Sequence, residues 1–190
     1  SFMLIILASQ SPRRKELLSH LVDDFDVMAA DIDERVLPDE SPIQYVERLA
    51  LQKAQAVAKQ LKQGETILVI GSDTSVVFDQ HILGKPASFE HCRSMLSMLS
   101  GRTHQVFTAF SVVGKNKQIT KSVCTDVTFT DISEEDIENY WATGEPQDKA
   151  GSYAIQGIGG KFVQSIHGSV SNVIGLPLVE LQQVLKDLDN

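Results

Sequence analysis

The chain has 190 residues, enough for one sizeable core or two closely joined lobes but too few for two independent domains, so a single domain over residues 3–190 is expected. A composition of 42% hydrophobic and 22% charged residues is that of a folded globular protein and excludes extended disorder. The formal net charge of −8 repels nucleic acid and anionic lipid, so neither is an expected partner, and any anion site must come from a local cluster of cations.

Ser1 and Phe2, ahead of Met3, read as an expression remnant and are left out. Met3 to Ala8 reads as a buried strand, too short to span a membrane. No cationic segment precedes a signal-like core with a small-residue cleavage site, and a cytoplasmic protein is the expectation. Ser9 to Ser11 form the turn that leaves the strand, with Ser11 as N-cap, Pro12 in the first helical turn, and Leu17, Leu18 and Leu21 as the buried face. Arg13, Arg14 and Lys15 therefore stand at a helix entrance. Phe25 to Ala29 is a second short strand, followed by the acidic turn DIDER at 31–35. Ser41-Pro42 opens a helix through about Lys62, with Tyr45, Leu49, Ala50, Ala56, Val57 and Leu61 near helical spacing. Lys53 falls among these apolar positions, so it either snorkels or is aimed into a cleft.

Thr66 to Ile70 is the most apolar strand and ends in GSDTSVV at 71–77. A hairpin around Asp79-Gln80-His81 leads to LGKP at 83–86, then to a helix over 88–99 closed by Ser100-Gly101. Gln105 to Val113 and Lys121 to Phe129 pair antiparallel across GKNK. Ser133 with Glu135 and Asp136 caps a helix through Trp141, whose Tyr140 and Trp141 are core residues. A glycine-rich loop over 144–160 flanks a short element, the strand KFVQSIHG follows, and Leu176-Pro177 starts a last helix to about Leu188. Alternating strands and helices, then antiparallel pairs, predict an α/β fold with a mixed, twisted sheet flanked by helices. Cys92 and Cys124 lie far apart without metal-ligand spacing and are read as packing residues of a reducing compartment. The five histidines match neither a zinc-protease nor a serine-hydrolase pattern.

Several stretches carry chemistry. The helix entrance at Ser-x-Ser-Pro-Arg-Arg combines free N–H groups, the positive end of the dipole, hydroxyls and guanidinium forks, which together suit a polyphosphate; the plain alternative is a serine cap with solvated arginines. Asp73-Thr74 is expected just beyond the carboxyl end of a strand, where open α/β sheets bind ligands, and Asp73 suits either cation ligation or proton abstraction from water. Asp31, Asp33 and Glu34 offer a further carboxylate, with Asp31 and Asp33 more consistent with the surface. Lys53 and Lys85 are candidates for neutralising phosphate charge, or are ordinary surface lysines. Asp148, Lys149 and Gln156 in DKAGSYAIQG lie in a loop suited to wrapping a ligand, and a glutamine amide offers a base edge both a donor and an acceptor.

Taken in order, ASQSPRRKELL, DIDE, the helix bearing Lys53-Ala54, GSDT, LGKP, LSGRTHQV and DKAGSYAIQG resemble the Maf family of nucleoside triphosphate pyrophosphatases from Met3 to about Leu188. The resemblance implies an elongated fold of two lobes around a deep cleft, related to the inosine triphosphate pyrophosphatases. It also implies hydrolysis of a nucleoside triphosphate between the α and β phosphates with a divalent cation, Mg2+ or Mn2+. By position, Asp73 corresponds to the proton acceptor, and Arg13, Thr74 and Gln156 to positions tied to specificity for dTTP and UTP. Ser9, Arg14, Glu34, Lys53 and Lys85 correspond to the polar lining, Glu34 with Asp73 being the expected metal pair. The stretch KAGSYAIQG favours pyrimidine substrates, modified ones included, over methylated GTP. Ser72 departs from the alanine common in GADT, and Ala154 from the glycine common in YGIQG. A purine pyrophosphatase of the inosine triphosphate type and a septum-formation regulator acting through a partner are the competing readings. A homodimer is the expected assembly.

Overall fold

The computed structural model describes residues 4–61 and 66–189. Ser1, Phe2, the Met3 start of the first strand and the expected helix limit at Lys62 lie outside them. The strands are β1 (Leu4–Leu7), β2 (Asp26–Val27), β3 (Ile67–Phe78), β4 (His81–Leu83), β5 (Thr103–Val113), β6 (Gln118–Phe129) and β7 (Val163–His167). The helices are α1 (Pro12–Ser19), α2 (Pro42–Ala58), α3 (Phe89–Leu99), α4 (Glu134–Ala142), α5 (Val170–Ile174) and α6 (Leu178–Asp189). The mixed sheet runs in the order β2-β1-β3-β5-β6-β7, with β4 on β3.

The chain divides into two compact units. The first comprises residues up to Asp73, Thr108–Val123 and from Gly175 onward. Here β1 pairs in parallel with β2 and β3, with Ile6 opposite both Asp26 and Val69. Parallel neighbours need both faces covered, which is why β1 and the start of β3 are almost continuously apolar. Ile6, Ala8, Ala54, Val57 and Val69 form a buried cluster between strands and α2. Ser11 caps α1, its hydroxyl accepting from Arg14 N–H at 3.2 Å, with Pro12 in the first turn. Ser41 and Gln44 close a reciprocal capping box on α2.

The second unit comprises Thr74–Phe107 and Cys124–Ile174. The β3–β4 hairpin turns on Asp79 and Gln80, both at positive φ (50° and 65°), as a two-residue turn compatible with strand twist requires. β6 and β7 pair antiparallel with a register shift at Thr128/Phe129. α3 and α4 supply Cys92, Met95, Leu96, Leu99, Ile137 and Tyr140 to a core shared with Phe129, Tyr153 and Phe162.

Four sequence expectations change. β3 does not end at Ile70: it continues through Gly-Ser-Asp-Thr to Phe78, because β5 neighbours it, β4 pairs with Val76–Phe78, and the polar side chains find partners off the strand. α2 ends at Ala58, earlier than its apolar spacing implied. The short α5 was not foreseen, and the 144–160 loop holds 3-10 turns at Glu145–Asp148 and Ala150–Ser152, with a third beginning at Ile158. Cys124 is exposed, unlike buried Cys92, so only Cys92 is a packing residue.

Candidate active site

Pleating puts Gly71 and Asp73 on one face of β3 and Ser72 on the other. On the first face α2 lies so close that a Cβ on Gly71 would meet the Ala50 carbonyl oxygen and come within 2.7 Å of Ala54 N. The glycine admits the helix. Lys53, three residues after Ala50 and on the same side of α2, then reaches Asp73: its Nζ lies 3.0 Å from Asp73 Oδ1, 3.4 Å from the Ser72 carbonyl and 3.2 Å from Glu34 Oε1. The lysine embedded in an apolar stripe is thus neither solvated nor snorkelling; it joins two carboxylates.

Glu34 comes to this point from the loop after β2. Tyr45 on α2, read from its spacing as core, donates its hydroxyl hydrogen to the Glu34 carbonyl. Arg48, one turn further, holds the same loop through Glu40 (2.6 Å) and the Arg35 carbonyl (2.9 Å). Asp33 is exposed and forks with Arg35, and Asp31 is exposed, as expected of surface carboxylates. Arg14 enters from α1, its Nε donating to the Gly175 carbonyl at 2.8 Å. Ser72, on the opposite face from Asp73, donates to the Ala109 carbonyl at 2.9 Å and lies 3.3 Å from the same Gly175 oxygen. The extra hydroxyl therefore bonds away from Asp73 and shares an anchor with Arg14. Neither Tyr45 nor Gly175 carries a sequence signal for these roles, because both act through backbone contacts between distant segments.

Burial pushes the Asp73 carboxyl above its ordinary range, opposed by the charges of Lys53 and Arg14. Burial lowers the Arg14 guanidinium, opposed by Asp73 and Glu34. Burial, reinforced by Asp73 and Glu34, pushes the Tyr45 phenol up to about 12. Asp73 is 7% exposed, and its Oδ2 has no hydrogen-bond partner among the described residues. A buried carboxylate oxygen left open beside two cations is a costly arrangement for stability alone, and it is a functional-site signature. It also fits a divalent cation: Asp73 and Glu34 are hard oxygen donors, and Mg2+ commonly takes one or two carboxylates with phosphate and water completing its shell. Among the described residues no group of three or more His, Cys, Asp or Glu side chains forms a complete protein cage.

The structure thus gathers Arg14, Glu34, Lys53 and Asp73 of the first unit. Ser9, 9% exposed, accepts from Ser11 N–H at 3.1 Å and retains its own proton for donation. Arg13 is half-buried and Lys15 exposed. Thr74, Lys85 and Gln156 belong to the second unit. Lys85 and Gln156 are exposed and make no hydrogen bond or ion pair with a described residue.

The sequence profile described as "Maf-like protein" matches residues 4–188. A dTTP/UTP pyrophosphatase of Pseudoalteromonas atlantica is 55% identical over 183 residues, covering 96% of this chain and 95% of that protein. One from Vibrio parahaemolyticus is 52% identical over 96% of each chain. Among solved structures, a Ham1 protein of Coxiella burnetii superposes with a TM-score of 0.56 at 16% identity, over 98% of this chain and 100% of that one. The Staphylococcus aureus Ham1 protein gives 0.54 at 17%, over 98% and 100%. The Ham1 likenesses establish the α/β fold, while the profile match and the identities of half or more, each running nearly end to end, place the chain in the Maf family.

Proposed function

We propose that this protein hydrolyses dTTP and UTP, and modified pyrimidine nucleotides of the same shape, to the monophosphate and pyrophosphate, as a cytoplasmic house-cleaning enzyme. The observation that carries the reading is Asp73, a buried carboxylate with Oδ1 held by Lys53 and Oδ2 without a partner. The names of relatives at about half identity support the pyrimidine substrates.

Asp73 Oδ2 takes a proton from a water that attacks the α-phosphorus. The bond from that phosphorus to the oxygen bridging it to the β-phosphorus breaks, pyrophosphate leaves, and the proton passes on to solvent. Burial raises the proton affinity of Asp73, while Lys53 and Arg14 keep it ionised for the task. Arg14, fixed through Gly175, and Lys53 meet phosphate charge, so positioning and neutralisation do most of the catalysis. Asp73 and Glu34 would hold Mg2+ or Mn2+, which when bound supplies positive charge to phosphoryl oxygens. Ser9 and Lys85 are assigned to phosphate contacts, and Arg13, Thr74 and Gln156 to substrate choice, on the strength of the family motifs.

Asp73→Asn keeps the shape of the side chain and removes its basicity. Pyrophosphate release from dTTP should fall about 10²–10⁴-fold with the urea midpoint unchanged or raised. Release at the wild-type rate would overturn the assignment.

A further inference from the structure

Gln156 lies between two pinned points of the 144–160 loop. On its N-terminal side, Ala154 N–H donates to the Tyr140 hydroxyl at 3.3 Å. On its C-terminal side, Ile158 N–H donates to Glu145 Oε1 at 2.8 Å and Gly159 N–H to Glu145 Oε2 at 3.0 Å. The Tyr140 hydroxyl itself donates to Glu145 Oε2. One carboxylate thus gathers three donors and joins α4, where Tyr140 is fully buried, to both flanks of Gln156.

The surrounding sequence is shaped to this contact. Gly157, the N-cap of the 3-10 turn that starts at Ile158, has no side chain to cap it, and Glu145 supplies the cap from 13 residues earlier in the chain. A Cβ on Gly157 would collide with Glu145 Oε1, and one on Gly159 would collide with the Tyr140 hydroxyl. Charge-assisted bonds of a carboxylate to consecutive N–H groups are about twice as strong as neutral ones, so the clasp fixes the loop backbone. The Gln156 side chain, exposed and without a bond to a described residue, projects from a stretch held at both ends.

We propose that Glu145, acting with Tyr140, is the positioning residue for Gln156 and thereby sets discrimination between pyrimidine and purine nucleotides. A purine is one ring wider, so an amide fixed in place accepts one base size, whereas an amide on a loose loop accepts both. The inference rests on the reading that Gln156 contacts the base.

The test measures kcat and KM for dTTP and dGTP in Glu145→Ala, Glu145→Gln, Tyr140→Phe, Gln156→Ala and the Glu145→Ala/Gln156→Ala double variant. Glu145→Ala should raise KM for dTTP about tenfold with kcat within about threefold, and cut the dTTP-over-dGTP ratio of kcat/KM about tenfold. Glu145→Gln, which keeps one carbonyl acceptor, and Tyr140→Phe should fall between wild type and Glu145→Ala, so the inference stays testable if the alanine variant does not fold. Amide exchange at Ile158 and Gly159 should accelerate in Glu145→Ala. In the Gln156→Ala background the Glu145 change should leave the ratio unmoved, since both act through one contact. If Gln156→Ala lowers the ratio while the Glu145 and Tyr140 variants leave it intact, the positioning role is wrong. If Gln156→Ala leaves the ratio intact, the reading of Gln156 itself fails.

Discussion

Lys53→Met separates the electrostatic role of the lysine from its packing, because methionine replaces the aliphatic stem and deletes the charge. In the wild type the ammonium lies 3.0 Å from Asp73 Oδ1, with Lys53 and Asp73 side chains 14% and 10% exposed. Removing one member of so buried a pair costs about 3–5 kcal/mol; with Arg14 still present to offset the Asp73 charge, the lower end, about 3 kcal/mol, is expected at pH 8. The sign with pH follows from burial. The folded-state Asp73 carboxyl is raised, so stability from its neutral form is full below the ordinary carboxylate value and is lost as pH rises through the folded value. Without Lys53 that folded value moves higher still, and the deficit of the variant should be largest at pH 8 and shrink toward zero in acid, where Asp73 is neutral in both proteins. Urea unfolding at pH 4, 6 and 8 measures the deficit, and the acid limb of kcat/KM for dTTP should move to higher pH. An equal deficit at all three pH values, with an unmoved acid limb, would refute the argument that Lys53 acts on Asp73 through charge. Glu34→Gln is the control: Glu34 is 56% exposed, and its loss should cost no more than about 1 kcal/mol.

Gly71→Ala should cost about 1–3 kcal/mol in urea unfolding and about 10²-fold in kcat/KM, because a methyl there pushes α2, and Lys53 with it, off the strand; unchanged kinetics would separate the close approach from the site. His104, 1% exposed and bonded through Nε2 to the Tyr153 hydroxyl at 2.6 Å, is lowered by burial to about 4. Its neutral form therefore contributes stability that is full above the unfolded value near 6.5 and falls by about 3 kcal/mol as pH drops toward 4; His104→Gln should flatten that part of the curve of unfolding free energy against pH. Ser72→Ala should lower kcat/KM by less than about tenfold and move the acid limb less than Lys53→Met does, since the hydroxyl supports the Gly175 anchor of Arg14 and does not bond Asp73 itself.

Local signals in the sequence were strong where chemistry is local. The Ser11-Pro12 and Ser41-Pro42 starts, the Ser133 capping box and the Asp79-Gln80 hairpin appear in the structure as their residue types require. The failures share a cause. Gly-Ser-Asp-Thr reads as a break after an apolar strand, yet bonds to Lys53 and Ala109, residues 20 and 37 positions away, let the strand continue. Lys53 could be noticed as a charge in an apolar stripe, but its partners depend on how closely α2 approaches β3, and that distance is set by the missing side chain at Gly71. Tyr45 and Gly175 were invisible as site residues because one acts on a backbone carbonyl and the other through its own.

The position of Asp73 inside a strand, and not just beyond the strand's carboxyl end as expected, changes the physical account of the site. An aspartate beyond a strand's end can relax toward solvent when its charge is unfavourable; one in the middle of β3, on the face that α2 packs against, cannot, and must hold its charge through Lys53 and Arg14. The strand thus fixes the base, the glycine two residues before it brings in the lysine, and the serine between them, facing the other way, shares the carbonyl that holds the arginine. Each of three consecutive residues of β3 controls one charged group. A substitution at Gly71 or Ser72 therefore reaches the same carboxylate through a cation, and the size of the pH shift distinguishes the routes: loss of the Lys53 contact moves the acid limb further than loosening of the Gly175 anchor of Arg14, whose charge acts on Asp73 less strongly.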